Sequence, residues 1–430
     1  MTHRSIFETI INKIRELLQS DEFLDAHRVE KHFIRKRLLS MYQVVLFLIY
    51  TTKQKMDTNI DNIRLDLPNI KFPNISKQAL SKARQGIKPS LFESFFDLTV
   101  DIFYSNRNRT NLWMEKFHLF AIDGSRAVLP PSKSNFETFG ERFSKQNPKR
   151  RWSEALMSTA YDVCNDMIVH GMIWHGLASE REMALSHLKI MESLNLVRDN
   201  TVFIFDRGYY SEKMFRFFYE KGYFCLMRLK ESYNISKQCR NSCITTKLKG
   251  DPKEETEDIP IRVIRIDLGN GTTEYLATNI PENEIPLEMY KELYFRRWPI
   301  EKKYDELKNK LQIEEFSGVT STSIQQEFYI NLLLTNLAAI VKAEADIIIE
   351  ETSKPTNKYR YQANRSYIIG RLKKLFPLFL GGTIKLQKIL DLFNDARKVK
   401  SQIQPDRSNP RKKGGKSRER KHFKNRKCCV

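Results

Sequence analysis

The sequence predicts a mixed α/β protein, a sheet of buried strands flanked by helices, preceded by an all-helical segment. Three observations lead there. Up to about residue 105 the apolar residues recur at helical spacing. From Phe117 on, short apolar runs alternate with helical patterns in the order strand, hairpin, helix, strand, helix, strand. Residues 231–285 break that rhythm with three more strand patterns and read as a small β insertion.

Taken in order, Ile6, Ile10, Ile14, Leu17 and Leu18 mark a first helix, and a second apolar stretch runs from Leu38 to Tyr50. Ser76 to Arg84, SKQALSKAR, is a basic helix broken at Gly86 and Pro89 before Leu91 to Val100. Helix, short turn and helix fit a helix-turn-helix with Lys82 and Arg84 toward DNA, and equally an ordinary helical hairpin. FHLFAID is an apolar strand ending on Asp123, followed by Gly124-Ser125. A basic loop follows with Arg142, Lys145, Lys149, Arg150 and Arg151. ALMSTAYDV and MIVHGMIWHG, joined by Cys164-Asn165-Asp166, predict a hairpin. Glu180 to Leu196 is helical, TVFIFD is a strand ending on Asp206 before Arg207-Gly208, Ser211 to Lys221 is a helix, and YFCLMRLK is a strand. CITTKLKG, IPIRVIRIDLG and TTEYLATNI supply the insertion, with Gly-Asn-Gly as the last turn. Ser323 to Glu350 is a long apolar core helix, and a further helix spans about Asn364 to Leu375.

At 430 residues the chain is long enough for two or three domains. Its net charge of +21 points to an anionic partner, nucleic acid first and a membrane surface second. Between Arg407 and Lys427 eleven Lys and Arg stand against one acid, Glu419, so +10 sits in the tail and +11 remains elsewhere. Residues 405–430 are expected to be disordered when free. Their only aromatic is Phe423, which argues against a membrane-surface helix. No apolar run reaches membrane-spanning length, and the N-terminus reads as an amphipathic helix, not a secretory signal. Six cysteines in a chain this long make no disulfide framework. A cytoplasmic, nucleoid-associated protein with free thiols is the expectation.

The stretch Tyr294 to Lys308, YFRRWPIEKKYDELK, organises the rest. On a helix wheel with Tyr294 at zero, Arg297 falls at about −60°, Glu301 at about −20° and Lys308 at about −40°. One carboxylate between two cations and a phenol can hold a metal ion while its neighbours hold phosphate oxygens. The same residues also make an intrahelical salt-bridge ladder. Pro299 kinks the helix or restarts it. Trp298, at about +40°, is a core ring or a platform for a displaced base. Asp123 and Asp206 each end a strand, where an acid before Gly is also a turn signal. Two strands of one sheet can set them side by side, and a packed helix can add Glu301. Three such acids repel one another unless a cation sits among them, and hard oxygen ligands favour Mg²⁺ or Mn²⁺.

AIDGS, FDRGY and Y-x2-R-x3-E-x6-K, in this order, resemble the three catalytic segments of the DDE transposases of bacterial insertion sequences. The resemblance is to the cut-and-paste group with the Tyr-Arg-Glu-Lys signature and runs from about Ser76 through Arg371. It implies a ribonuclease H-like catalytic fold over residues 112–230 and 286–395, with Asp123, Asp206 and Glu301 as metal ligands. It implies that Tyr294, Arg297 and Lys308 handle the DNA backbone; apart from the resemblance, the cations Arg207 and Lys149-Arg150-Arg151 are expected to contact phosphates with them. It also implies that helical residues 1–105 bind the inverted-repeat ends of the element, that target DNA is a second partner, and that a synaptic homodimer forms. A structure-specific nuclease of the same fold and a non-catalytic DNA-binding descendant are the alternatives. Short inverted repeats flanking the gene discriminate the first of these from a transposase.

Overall fold

The computed structural model describes residues 2–35, 38–51, 54–106, 110–144, 147, 151–250, 256–268, 271–384 and 387–403. Lys149, Arg150 and the basic tail lie outside the described residues.

Helices α1 (His3–Gln19), α2 (Asp21–His27), α3 (Met41–Tyr50), α4 (Met56–Asp66), α5 (Lys77–Arg84) and α6 (Ser90–Ser105) form the first part. Serine hydroxyls start several of them: Ser20, Ser40 and Ser76 accept from the backbone N–H of Phe23, Gln43 and Ala79. Gln43 returns the bond to Ser40 and closes a capping box. The predicted apolar stripe of α1 is buried at Ile6, Ile10, Ile14 and Leu18. Helix α4 falls within the stretch the sequence predicts to be all-helical, but no apolar stripe marks it. Its apolar residues are sparse, and only Asn59, Ile60 and Ile63 are buried.

The chain then gives β1 (His118–Leu129), α7 (Lys133–Phe139), β2 (Arg142–Phe143), β3 (Arg151–Asp162), β4 (Met167–His175) and α8 (Glu180–Ser193). Next come β5 (Thr201–Phe205), α9 (Glu212–Glu220), β6 (Phe224–Leu229), α10 (Asn234–Gln238), β7 (Cys243–Leu248), β8 (Ile259–Asp267) and β9 (Thr273–Thr278). The last part holds α11 (Met289–Phe295), α12 (Pro299–Asp305), a π-helical turn over Glu306–Lys310 and α13 (Ser321–Glu351). It closes with β10 (Arg360–Ala363), α14 (Arg365–Leu380), α15 (Gln387–Lys398) and β11 (Lys400–Ile403).

Nine described strands make one mixed sheet in the order β4-β3-β1-β5-β6-β9-β8-β7, with β2 beside the start of β3. β3 and β4 form the predicted hairpin, with Asp166 of its turn at φ 59°. β1, β5 and β6 run parallel to one another, while β3 is antiparallel to β1. The strands of residues 231–285 extend this sheet, because β9 pairs antiparallel with the outer edge of β6. No helix among the described residues is long and apolar enough to cross a membrane.

Both faces of the sheet are covered, which explains why the parallel strands read as continuous apolar runs. Leu119, Val202 and Ile204 face a smaller core closed by Leu293 and Tyr294 of α11. Phe120, Phe203 and Phe205 face the larger core, which continues through α1, α3 and α6 into α13, α14 and α15. α13 is its axis, packed by α1, α6, α14, α15 and β4.

Arg84 belongs to this packing and does not face DNA. It is 2% exposed. Its guanidinium donates to Gln326 Oε1 (2.7 Å), Ser317 Oγ (2.6 Å), the Ser323 carbonyl (2.9 Å) and Glu327 Oε1 (3.0 Å). Arg84→Met should cost about 3 kcal/mol, since it strands Glu327 beside an apolar side chain. Chemical denaturation would measure it, and a loss below about 0.5 kcal/mol would contradict this placement.

Candidate active site

The parallel ladder between β1 and β5 pairs His118 with Thr201 through Ala121 with Ile204, a constant offset of 83 residues. Two residues beyond the last pair, the same offset sets Asp123 beside Asp206. Adjacent strands lie about 4.8 Å apart, and side chains alternate faces with period two. Both carboxylates therefore fall on the face of Leu119, Val202 and Ile204, beneath α11. One expectation needs correction: Asp123 does not end its strand. β5 stops at Phe205, but β1 stays paired with β3 as far as Leu129 opposite Ser153. The acids sit at the step between a long strand and a short one.

The stretch from Tyr294 is not one continuous helix. α11 ends at Phe295, three residues turn, and α12 restarts with Pro299 in its first turn. Proline fits there because the first N–H groups of a helix have no intrahelical partner. The restart brings Glu301 to the aspartates. Tyr304, one turn further on, is buried and donates its hydroxyl to the Asp123 carbonyl (2.6 Å), which ties α12 to β1. On the opposite side Lys303 is ion-paired with Asp166 (2.6 Å), and Arg365 bridges Asp166 and Glu306.

Arg297 lies among the acids. It is 4% exposed, donates to Glu301 Oε1 (2.9 Å) and stands 3.8 Å from Asp123 Oδ2. Burial weakens its charged state, but Tyr294, Glu301, Asp206 and Asp123 together outweigh that and hold it firmly protonated. The expectation of an open phosphate contact is not met in this arrangement, because its guanidinium is turned inward. Tyr294, also 4% exposed, donates to Asp206 Oδ1 (3.4 Å), and Arg228 stands 3.9 Å from the same oxygen. Asp123 is pushed up to about 6, by burial first. The Gly124 N–H and Arg297 oppose that shift, while Asp206 and Glu180 add to it.

Trp298 is 46% exposed in the turn beside Glu301, so it is not a core ring. Lys308 donates to the Arg126 carbonyl of β1 (2.6 Å). Arg207 is exposed directly after Asp206. Arg151 pairs with Glu141 (2.9 Å) and lies over the Phe136 ring, away from the acids. Lys82 is exposed on α5.

Sequence reasoning missed Glu180, Tyr209, Arg228 and Tyr304. Gly124 and Gly208 flank Glu180: a Cβ at Gly124 would lie 3.3 Å from its Oε1, and one at Gly208 would lie 3.8 Å from its Oε2. Among the described residues, no three His, Cys, Asp or Glu side chains are gathered closely enough to hold an ion as they stand. The donor chemistry nevertheless fits a hard divalent cation. Asp123 and Asp206 are neighbours of like charge, and the buried Tyr209 hydroxyl, held well above its ordinary pKa by burial and by Asp123 and Glu180, has no hydrogen-bond partner among the described residues.

Asp123 follows the parallel-paired part of β1, Asp206 follows β5, and Glu301 stands on the restarted helix α12; sequence comparison supplies the family. The chain belongs to the transposase DDE domain family, whose model matches residues 116–337. No curated protein matches its sequence. Among solved structures it is similar to the cryo-EM structure of a piggyBac transposase synaptic complex with hairpin DNA, at TM-score 0.46 and 10% identity, covering 92% of this chain and 84% of that one.

Proposed function

We propose that this transposase cuts and joins DNA at the ends of its own mobile element by a cut-and-paste route. Asp123, Asp206 and Glu301 are its metal-holding residues and Mg²⁺ is the working ion, with Mn²⁺ able to replace it. The observation that carries the reading is one buried arginine, Arg297, that faces Glu301, Asp206 and Asp123 together. The strand order β4-β3-β1-β5-β6, with β5 and β6 parallel to β1, supports a ribonuclease H-like catalytic fold over residues 112–230 and 286–395. Residues 1–105 bind the inverted-repeat ends, residues 231–285 are an insertion, and two copies pair the ends before chemistry. The net charge of +21 suits both end and target DNA.

A divalent ion held here supplies Lewis acidity and an activated water to a phosphodiester. The chain's own residues set the stage. Arg297 holds the Glu301 carboxylate toward Asp123, Tyr294 orients Asp206, and Tyr304 keeps α12 in register with β1. Arg207 and Lys308 stand at the rim for backbone phosphates.

The test uses the purified chain with end-labelled DNA from just outside its reading frame. Cleavage at the element's ends should require Mg²⁺ or Mn²⁺ and stop with chelator. Cleavage of branched DNA in preference to those ends would favour a structure-specific nuclease.

Trp298 gives a sharper expectation. An exposed ring beside the acids can stack on a base held out of the duplex, a contact worth about 1–3 kcal/mol. Trp298→Ala should keep its fold and its first nick, yet slow the following hairpin step by about tenfold to a hundredfold. Denaturing gels would show nicked DNA accumulating, and hairpins at the parental rate would remove the ring from the mechanism.

A further inference from the structure

The three acids named so far leave one carboxylate in the same place without a task. Glu180 opens α8, and three contacts fix that helix against the aspartates. Arg181 donates to the carbonyls of Gly208 (3.2 Å) and Tyr210 (2.8 Å), which joins the helix start to the loop after Asp206. His187, two turns on, shares a 2.9 Å hydrogen bond with Ser158 Oγ, and Ser158 donates to the Asp123 carbonyl (3.2 Å). His170 backs His187 at 2.8 Å. Residues seven apart lie about 20° from each other on a helix, so His187 and Glu180 share one face.

That geometry sets the Glu180 carboxylate between Gly124 and Gly208, against the segments that carry both aspartates. No hydrogen bond to its side-chain oxygens forms among the described residues, and Arg126 supplies only a more distant positive field. A second observation falls at the same spot. Tyr209 is 1% exposed, and its hydroxyl is buried without a partner beside Asp123, Glu180 and Asp206. A buried phenol is ordinarily satisfied by protein, water or ligand.

We propose that Glu180 is a fourth carboxylate ligand of the divalent-cation site, working with Asp123 and Asp206, and that the Tyr209 hydroxyl bonds to what the cation brings in. This rests on the metal-dependent reading of the acids. Glu301, engaged by Arg297, stands on one side of the aspartates, and Glu180 offers a carboxylate from α8. An ordinary acid in the first turn of a helix would serve only to complement the helix dipole. Glu182, exposed in the same turn, has that role alone and is the natural control.

The experiment titrates Mn²⁺ into the full chain, followed by water-proton relaxation, with folding checked by circular dichroism. Glu180→Gln should weaken Mn²⁺ binding by about tenfold or more. Glu182→Gln should leave it unchanged, and Glu180→Asp should recover part of the loss. Tyr209→Phe should keep Mn²⁺ affinity within about twofold while slowing strand cleavage. If Asp123→Asn weakens binding and Glu180→Gln does not, Glu180 is no ligand and the reading of the three acids stands. If Asp123→Asn and Asp206→Asn also leave binding unchanged, the metal reading itself fails. If Glu180→Gln and Glu182→Gln lower affinity equally, the effect is that of the helix and the proposal is overturned.

Discussion

Asp123→Ala, Asp206→Ala and Glu301→Ala should each lower metal-dependent strand cleavage by about 10³-fold or more, equivalent to about 4 kcal/mol in the barrier. Binding to end DNA should stay within about twofold, because the acids act in chemistry and themselves repel phosphate. The fold should survive. Asp123 has a carboxyl raised to about 6, chiefly by burial, so its ionised form costs the folded state and removing it relieves that cost. Asp206, with a side chain 43% exposed, contributes little to packing. Strand cleavage on end-labelled DNA, gel shift and thermal melting together check the claim. Robust cleavage by Glu301→Ala, or a collapse in melting temperature for Asp123→Ala, would count against it.

The second large effect is expected at Arg297 and takes the opposite form. Arg297→Met should lose stability as well as activity. It removes the buried cation that faces Asp123, Asp206 and Glu301. Breaking a buried ion pair from one side costs about 3–5 kcal/mol, and the lower figure suits acids that keep some exposure. Divalent ions should return part of that loss, since an ion at 100 times its Kd stabilises by about 2.7 kcal/mol. Mn²⁺ should therefore raise the melting temperature of Arg297→Met more than that of the parent. A variant that melts like the parent and loses only DNA affinity would make Arg297 a phosphate contact after all.

The strands and the hairpin were legible because their apolar runs report burial on both faces. The parallel register was legible too, since the 83-residue spacing between the aspartates is the offset of the ladder that ends two residues before them. The continuation of β1 was not. Gly124-Ser125-Arg126 reads as a turn, and the strand that keeps it extended, β3, begins more than twenty residues later. A helix wheel could flag Glu301 but not the turn over residues 296–298, although Pro299 marked it. Arg84 looked like an exposed base on an amphipathic helix, and only Gln326 and Glu327, more than 240 residues away, show otherwise. Glu180 carried no signal, since an acid after a capping serine is what any helix start prefers.

α13 has a consequence for how the molecule comes apart. Its 31 residues touch helices from the beginning of the chain, strand β4 from the sheet, and both helices that follow it. Neither terminal group of helices can melt without uncovering it, and its loss would bare the sheet. Heating should give one calorimetric transition, not separate steps for end binding and catalysis. Trimming α1 should therefore disable strand cleavage by unfolding the whole chain, and partial proteolysis should yield no stable catalytic fragment lacking the first helices.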